Sequence, residues 1–197
     1  TDSSPTLSTH PAGQNLDAQP TLGPDPSEAT GTVVAFEDPS CPTCARFERE
    51  VVPALVTQYV DPGTVSLVFR GYPVIYPWGE QGTRALEAVY ARDADAHWTL
   101  AAHYFENQSR FRGQDPATVY DRTESFLAGE TDLDATATVD AARNGEADAA
   151  VQTDYDAGQA AGAGRTTPHL FLFRDGEYRT KSAGYTGLST IEGVLEL

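Results

Sequence analysis

The chain has 197 residues, 13 Lys and Arg against 29 Asp and Glu for a net charge of −16, two cysteines and no methionine. The length suits one domain with room for an insertion. No apolar run approaches the ~18–20 residues that cross a bilayer, a phosphate backbone would be repelled by the acidity, and two cysteines are too few for a disulfide scaffold or a four-thiolate zinc site.

Residues 1–30 hold four acids and no base among Ser, Thr, Pro and Gly, without helical or strand period, and read as a flexible tail or tether. A chain lacking methionine reads as one whose start has been removed, and a polar tether in that position suits an exported or membrane-anchored precursor; a cloning boundary would look the same. Residues 31–78 read as a βαβ unit. TVVAF at 32–36 is a short β-branched and aromatic run, a buried strand. The stripe Phe47, Val51, Leu55 and Tyr59 marks a helix that Pro53 should kink near 49–52. VSLVF at 65–69 is the second buried strand, and a strand, helix, strand order makes a right-handed parallel unit.

Residues 79–163 read as an all-helical insertion, with helices over 80–91, 95–106, 116–127, 133–142 and 147–161 separated by Gly and Asp-Pro breaks. Residues 164–197 read as a ββα unit. HLFLF at 169–173 and the strand at 178–183 flank the Asp175-Gly176 hairpin turn, and Ser189 to Glu192 has the capping-box pattern that opens a last helix. The charge follows the same partition. The insertion has 16 acids and 6 Arg, whereas residues 164–197 have four of each sign. The bases are 12 Arg and a single Lys, a balance that keeps a chain hydrated when salt screens ordinary charge and reads as adaptation to a salty environment; an ordinary acidic protein is the alternative.

Cys41-Pro42-Thr43-Cys44 lies where the first strand meets its helix. In the first helical turn this spacing brings two sulfurs within bonding reach, and the unpaired N–H groups and positive dipole end favour a thiolate at Cys41. Such placement lowers a cysteine pKa from about 8.5 to roughly 3.5–7.5. Cys41 is then the nucleophile and Cys44, one turn deeper, the resolving thiol. A structural disulfide is the weaker reading because so short a loop gains little from closure. Zinc would need two further ligands, and His10, His97, His103 and His169 have no ligand spacing; the reading has no metal and no cofactor.

The CPTC turn after a strand, the proline-kinked helix, the helical insertion and Thr167-Pro168 before the ββα unit together resemble DsbA-type thiol–disulfide oxidoreductases of the thioredoxin superfamily. Leu22-Gly23-Pro24 and Val68-Phe69-Arg70 also fit that group. The resemblance implies a thioredoxin fold with a central mixed sheet, an exposed Cys41, a cis Thr167–Pro168 bond, and a Thr167 backbone that pairs with a substrate peptide. Three departures stand out. Ala35 occupies the place of the buried acid found six residues before the first cysteine, with Glu37 or Asp38 as substitutes. Thr43 replaces the His common in strong oxidants, which implies a weaker oxidant. Thr167 replaces a frequent Val, and its hydroxyl would be able to bond a sulfur.

The expected activity is disulfide exchange with protein or peptide thiols, most simply disulfide formation in exported proteins outside the cytosol, with reoxidation by a membrane-bound partner and no role for nucleic acid. The alternatives are a reductase or isomerase, and a non-catalytic copper module with His169 as third ligand. Tyr76 and Trp78, in an aromatic and proline-rich loop, either line a substrate groove or pack the insertion onto the core. Asn107-Gln108-Ser109 matches a glycosylation acceptor, a pattern common by chance.

Overall fold

A computed structural model describes residues 4–197. Its centre is a five-stranded sheet of β1 (Thr21–Leu22), β2 (Gly31–Glu37), β3 (Val65–Gly71), β4 (His169–Arg174) and β5 (Glu177–Ala183), in the order β1-β3-β2-β4-β5. β2 and β3 are parallel and the remaining pairs antiparallel. The parallel pair requires a crossover, supplied by α1 (Pro42–Glu50), α2 (Val52–Leu55) and a wider helical turn at Val56–Val60. The helix breaks at Val51 (φ −114°, ψ −50°), because Pro53 has no N–H to bond the carbonyl four residues back. The all-helical insertion comprises α3 (Trp78–Tyr90), α4 (Ala94–Glu106), α5 (Gln108–Phe111), α6 (Pro116–Glu130), α7 (Ala135–Arg143) and α8 (Asp148–Ala161); α9 (Leu188–Leu195) ends the fold. This is a thioredoxin fold with a helical insertion.

Both faces of the sheet are covered, so β2 and β3 are buried along their whole length and are mostly apolar, with Glu37 and Arg70 near their C-terminal ends. Alternate residues divide between the faces. Val33, Ala35, Leu170 and Leu172 meet Phe47 and Leu55 of the crossover and Ile191 and Leu195 of α9. Val34, Phe36, Phe171 and Phe173 meet Tyr72, α8 and the N-terminal segment. Each fully buried Leu, Ile or Phe contributes about 1.5–3 kcal/mol. Both cysteines belong to a third cluster, with Trp78, Tyr104 and Phe111 of the insertion, so the insertion roofs the CPTC turn.

The N-terminal segment departs from the expected free tail. Residues 1–3 lie outside the described residues, but the rest packs on the sheet. Leu7 N donates to Gly176 O (2.7 Å) and Tyr178 N to Pro5 O (2.8 Å), and the His10 ring stacks on Tyr178 at 4.5 Å. β1 extends the sheet against β3. Arg70, fully buried, pairs with Asp154 at 2.7 Å and donates to the carbonyls of Ala12 and Gln14 at 3.0 and 2.7 Å; Gln19 also donates to Asp154. These partners are far apart in sequence, so local composition carries no sign of them. Two smaller differences concern the helices. α9 begins after Gly187 without a side-chain cap, leaving Ser189 inside the helix. α5 has no counterpart among the expected helices, being a single turn too short to show a period.

Candidate active site at the CPTC turn

β2 ends at Glu37, and Asp38 turns the chain toward the helix. The buried Asp38 carboxylate accepts from Ser40 N (2.7 Å), Ser40 Oγ (2.6 Å), Val74 N (2.8 Å) and Ile75 N (2.7 Å). Burial raises its pKa and these bonds oppose the rise. They lock the approach to Cys41 against the loop after β3. Gly79 makes that packing possible, since a Cβ there would lie 2.4 Å from Asp38 Oδ1. Gln108 of α5 closes the turn from above, its Nε2 donating to Pro39 O and Cys41 O, both at 2.8 Å.

Cys41 is the N-cap of α1 and Pro42 its first residue, where a missing N–H costs nothing. Both cysteines are free thiols. Cys41 is 3% exposed and Cys44 fully buried, so Cys41 is more covered than the resemblance implied; Pro42 is exposed and Thr43 half-buried beside it. The cover includes Thr167, whose carbonyl accepts from the Cys41 thiol at 3.3 Å. The Thr167–Pro168 peptide is cis, and Pro168 O accepts from Gly184 N at 2.8 Å.

The two thiols differ sharply in acidity. The Cys41 pKa is lowered to about 6, first by a hydrogen bond from the Cys44 thiol, then by the Thr167 hydroxyl and the N–H groups of Cys44 and Thr43, against the opposing effect of burial. The buried Thr167 hydroxyl makes no other hydrogen bond and is available to this sulfur. Burial pushes Cys44 well up, and its bond to Cys41 and the nearby Glu37 push the same way.

Glu37 lies two residues after Ala35 and therefore on the same face of β2, one pleat nearer the cysteines. It is 1% exposed, and its Oε2 has no partner. Burial first, and then the neighbouring Glu48, raise its pKa well above the usual carboxylate range, while the nearby Cys44 thiol opposes the rise. Glu48, one helical turn past Cys44 on α1, is raised by burial too and lines a cleft of about 400 Å³ between α1 and α4. Sequence reasoning places Glu37 among possible substitutes for the missing acid; it misses Glu48 and Gln108. Heptad-like spacing from Cys41 to Glu48 on one helix is the available sign for the former, and nothing local marks the latter.

The remaining candidates separate. Tyr76 is 40% exposed at the rim, with the Arg112 guanidinium 5.0 Å above its ring. Trp78 is 2% exposed and stacks on Phe111 at 5.1 Å, so it packs the insertion onto the core and does not line a surface groove. His169 stacks on Phe171 at 5.2 Å, on the sheet face covered by α8, which removes it from the cysteines. Among the described residues no three His, Cys, Asp or Glu side chains gather as metal ligands. Asn107 is half-buried, with its Nδ2 committed to His103 O at 2.9 Å.

Known proteins share both the sequence and the shape. A family model described as thioredoxin matches residues 18–191. The probable disulfide bond formation protein D of Bacillus cereus is 36% identical over 92 residues, 47% of this chain and 42% of that protein. Disulfide bond formation protein D of Bacillus subtilis is 31% identical over 94 residues, 48% of this chain and 41% of that protein. The matched region therefore spans less than half the length of these relatives. The oxidised crystal structure of BdbD from Bacillus subtilis superposes with a TM-score of 0.73 at 22% identity, over 99% of this chain and 98% of that one. The crystal structure of Wolbachia pipientis alpha-DsbA1 gives 0.73 at 18% identity, over 90% and 89%. With the family model spanning nearly all of the sheet, the insertion and the CPTC turn, the chain belongs to the thioredoxin family and has a DsbA-like fold.

Proposed function

We propose that the chain is a thiol–disulfide oxidoreductase whose main direction is disulfide formation in exported proteins. The observation that carries this is the contrast between a Cys41 thiol acidified to about 6 and a buried Cys44 held protonated beside Glu37. In the oxidised enzyme a substrate thiolate attacks Cys41 Sγ. The Cys41–Cys44 bond breaks, and the electron pair leaves on Cys44. Glu37, kept neutral by burial, donates the proton that Cys44 needs, and Glu48 renews it from the α1–α4 cleft. The second substrate thiolate then attacks the substrate sulfur of the mixed disulfide, and Cys41 departs as a stable thiolate. Pro42 and Thr43 hold the turn, and Thr167 supplies a hydroxyl to the Cys41 sulfur and backbone to the passing peptide. The cis Pro168 carries that backbone.

Direction follows thiolate stability, because a stabilised Cys41 thiolate favours the reduced enzyme and so the oxidation of its substrate. Reference thiols sit at about 7 in thioredoxin and about 3.5 in DsbA. A Cys41 near 6 favours an oxidant weaker than DsbA, consistent with Thr43 between the cysteines, and it also gives weight to a reductase or isomerase. The names of the matched Bacillus proteins support the oxidase direction. Disulfides persist outside a reducing cytosol, which places the function there, with a membrane-bound redox partner to reoxidise the pair. The near-absence of lysine supports a saline setting.

A glutathione redox titration decides the direction. The expected potential falls between about −270 and −120 mV, the thioredoxin and DsbA references; a value at or below the thioredoxin end would make the chain a reductase. Trapping assigns the roles. Cys44→Ser should accumulate mixed disulfides with a thiol substrate and Cys41→Ser should not, and the reverse pattern would overturn the assignment.

A further inference from the structure

Seven of the 12 arginines have a carboxylate within 4.0 Å. Arg92, Arg110, Arg112, Arg122 and Arg165 have no such partner among the described residues, and of these the exposed Arg112 and Arg165 are the two that contact the loop beside the CPTC turn. Both are anchored to the same loop. The Arg112 guanidinium lies 5.0 Å over the Tyr76 ring, and Arg165 donates to Val74 O at 3.2 Å. That loop forms the rim of the CPTC turn, since Tyr76 N donates to the hydroxyl of Ser40, next to Cys41, at 3.0 Å. Arg165 also stands two residues before Thr167, which touches the Cys41 sulfur. Two cations without a carboxylate partner therefore stand on the loop that borders the CPTC turn. Tyr185, 38% exposed, follows Gly184, whose N–H bonds Pro168 O, and carries the Arg46 guanidinium 4.0 Å over its ring.

We propose that Arg112 and Arg165, with the partly exposed Tyr76 and Tyr185, form a docking rim selective for peptides that carry acidic side chains next to the reacting cysteine. The proposal rests on the exchange function above and deepens it by naming the substrate class. A guanidinium presents a planar fork of donors that matches a carboxylate, and stacking on a tyrosine holds the fork in place without consuming its charge. The rim also answers a problem set by the whole molecule. A net charge of −16 repels an acidic peptide. Salt limits that repulsion to about 8–10 Å, so the nearest charges decide docking. On the Tyr76 side those charges are Arg112 and Arg165, and on the Tyr185 side Arg46, paired with Glu50, adds no net charge.

The test uses three peptides with the same pair of cysteines, flanked by Asp, Ser or Lys. Each rate of reduction of the oxidised protein is divided by the same peptide's rate with an uncharged small disulfide, because flanking carboxylates raise a thiol's pKa and alter its intrinsic reactivity. The expected normalised order is Asp above Ser above Lys, with about two- to fivefold per rim charge. In Arg112→Glu/Arg165→Glu the Asp-to-Lys ratio should fall below one, and in Arg112→Gln/Arg165→Gln it should approach one. A wild-type ratio at or below one, or a ratio unmoved by both variants, overturns the proposal. Charge-blind exchange would sink the rim alone. Failure of the wild type to exchange with dithiothreitol or with any peptide would sink the exchange function and the rim with it.

Discussion

At the scale of single residues, the proposed chemistry depends on two sulfurs three residues apart in sequence and held at opposite acidities. Cys41 meets the open N–H groups of a helix start and two side-chain donors, whereas Cys44 is fully buried among apolar side chains beside Cys41 and a carboxyl group. The lowered pKa makes Cys41 a thiolate at neutral pH. Its contribution to the stability of the reduced protein is full above the unfolded value of about 8.5–9 and is lost as pH falls through about 6. Alkylation of the reduced protein by iodoacetamide should therefore rise about tenfold per pH unit below 6 and level off above it, with one site modified. A profile still rising at pH 8 would show that the helix start and Thr167 do not stabilise the thiolate.

At the scale of elements, the site is a junction of four pieces: the end of β2, the start of α1, the loop before β4, and α5 of the insertion. The shortest of them has the most direct hold on the turn. Gln108 satisfies the carbonyls of Pro39 and Cys41 with one amide group. Replacing it with Leu removes both bonds, leaving the Pro39 carbonyl short of a donor under the roof and the Cys41 carbonyl with Ala45 N alone. Gln108→Leu should destabilise the protein by about 1–3 kcal/mol in urea denaturation, with an unchanged m-value. Cys41 should also alkylate faster at a fixed pH, because the roof over it loosens. Unchanged stability and unchanged alkylation would reduce Gln108 to a surface contact.

Across the whole molecule, the acidity is concentrated in the insertion and the N-terminal segment, and one buried ion pair fastens these parts to the sheet. Arg70 reaches from β3 to α8 through Asp154 and to the N-terminal segment through Ala12 and Gln14. Removing one partner of such a pair leaves an uncompensated buried charge, at a cost of about 3–5 kcal/mol. Asp154→Ala should lose that much in urea denaturation, whereas Asp156→Ala, exposed on the same helix, should change stability by about 0.5 kcal/mol or less. Equal effects would show that Arg70 does not join these parts.

The sequence by itself determined the elements and singled out the cysteines proposed as the reacting pair. β-branched runs, the helical stripe, Pro53, the Asp175-Gly176 turn and the CPTC spacing act within a few residues, so their physics is legible in order along the chain. The five main helices of the insertion were readable for the same reason, and α5 was not, because one turn has no period. Tertiary structure alone decided what crosses the fold. It drew the N-terminal segment onto the sheet through Arg70 and Asp154, 84 residues apart, and set Gln108 over Cys41. It buried Trp78 while leaving Tyr76 at the rim, and it brought Glu37 of a strand beside the Cys44 thiol and Glu48 of a helix beside Glu37. Burial and long-range pairing are properties of three-dimensional neighbours, and a carboxylate becomes a proton donor, or an arginine a docking site, only through the neighbours it has or lacks.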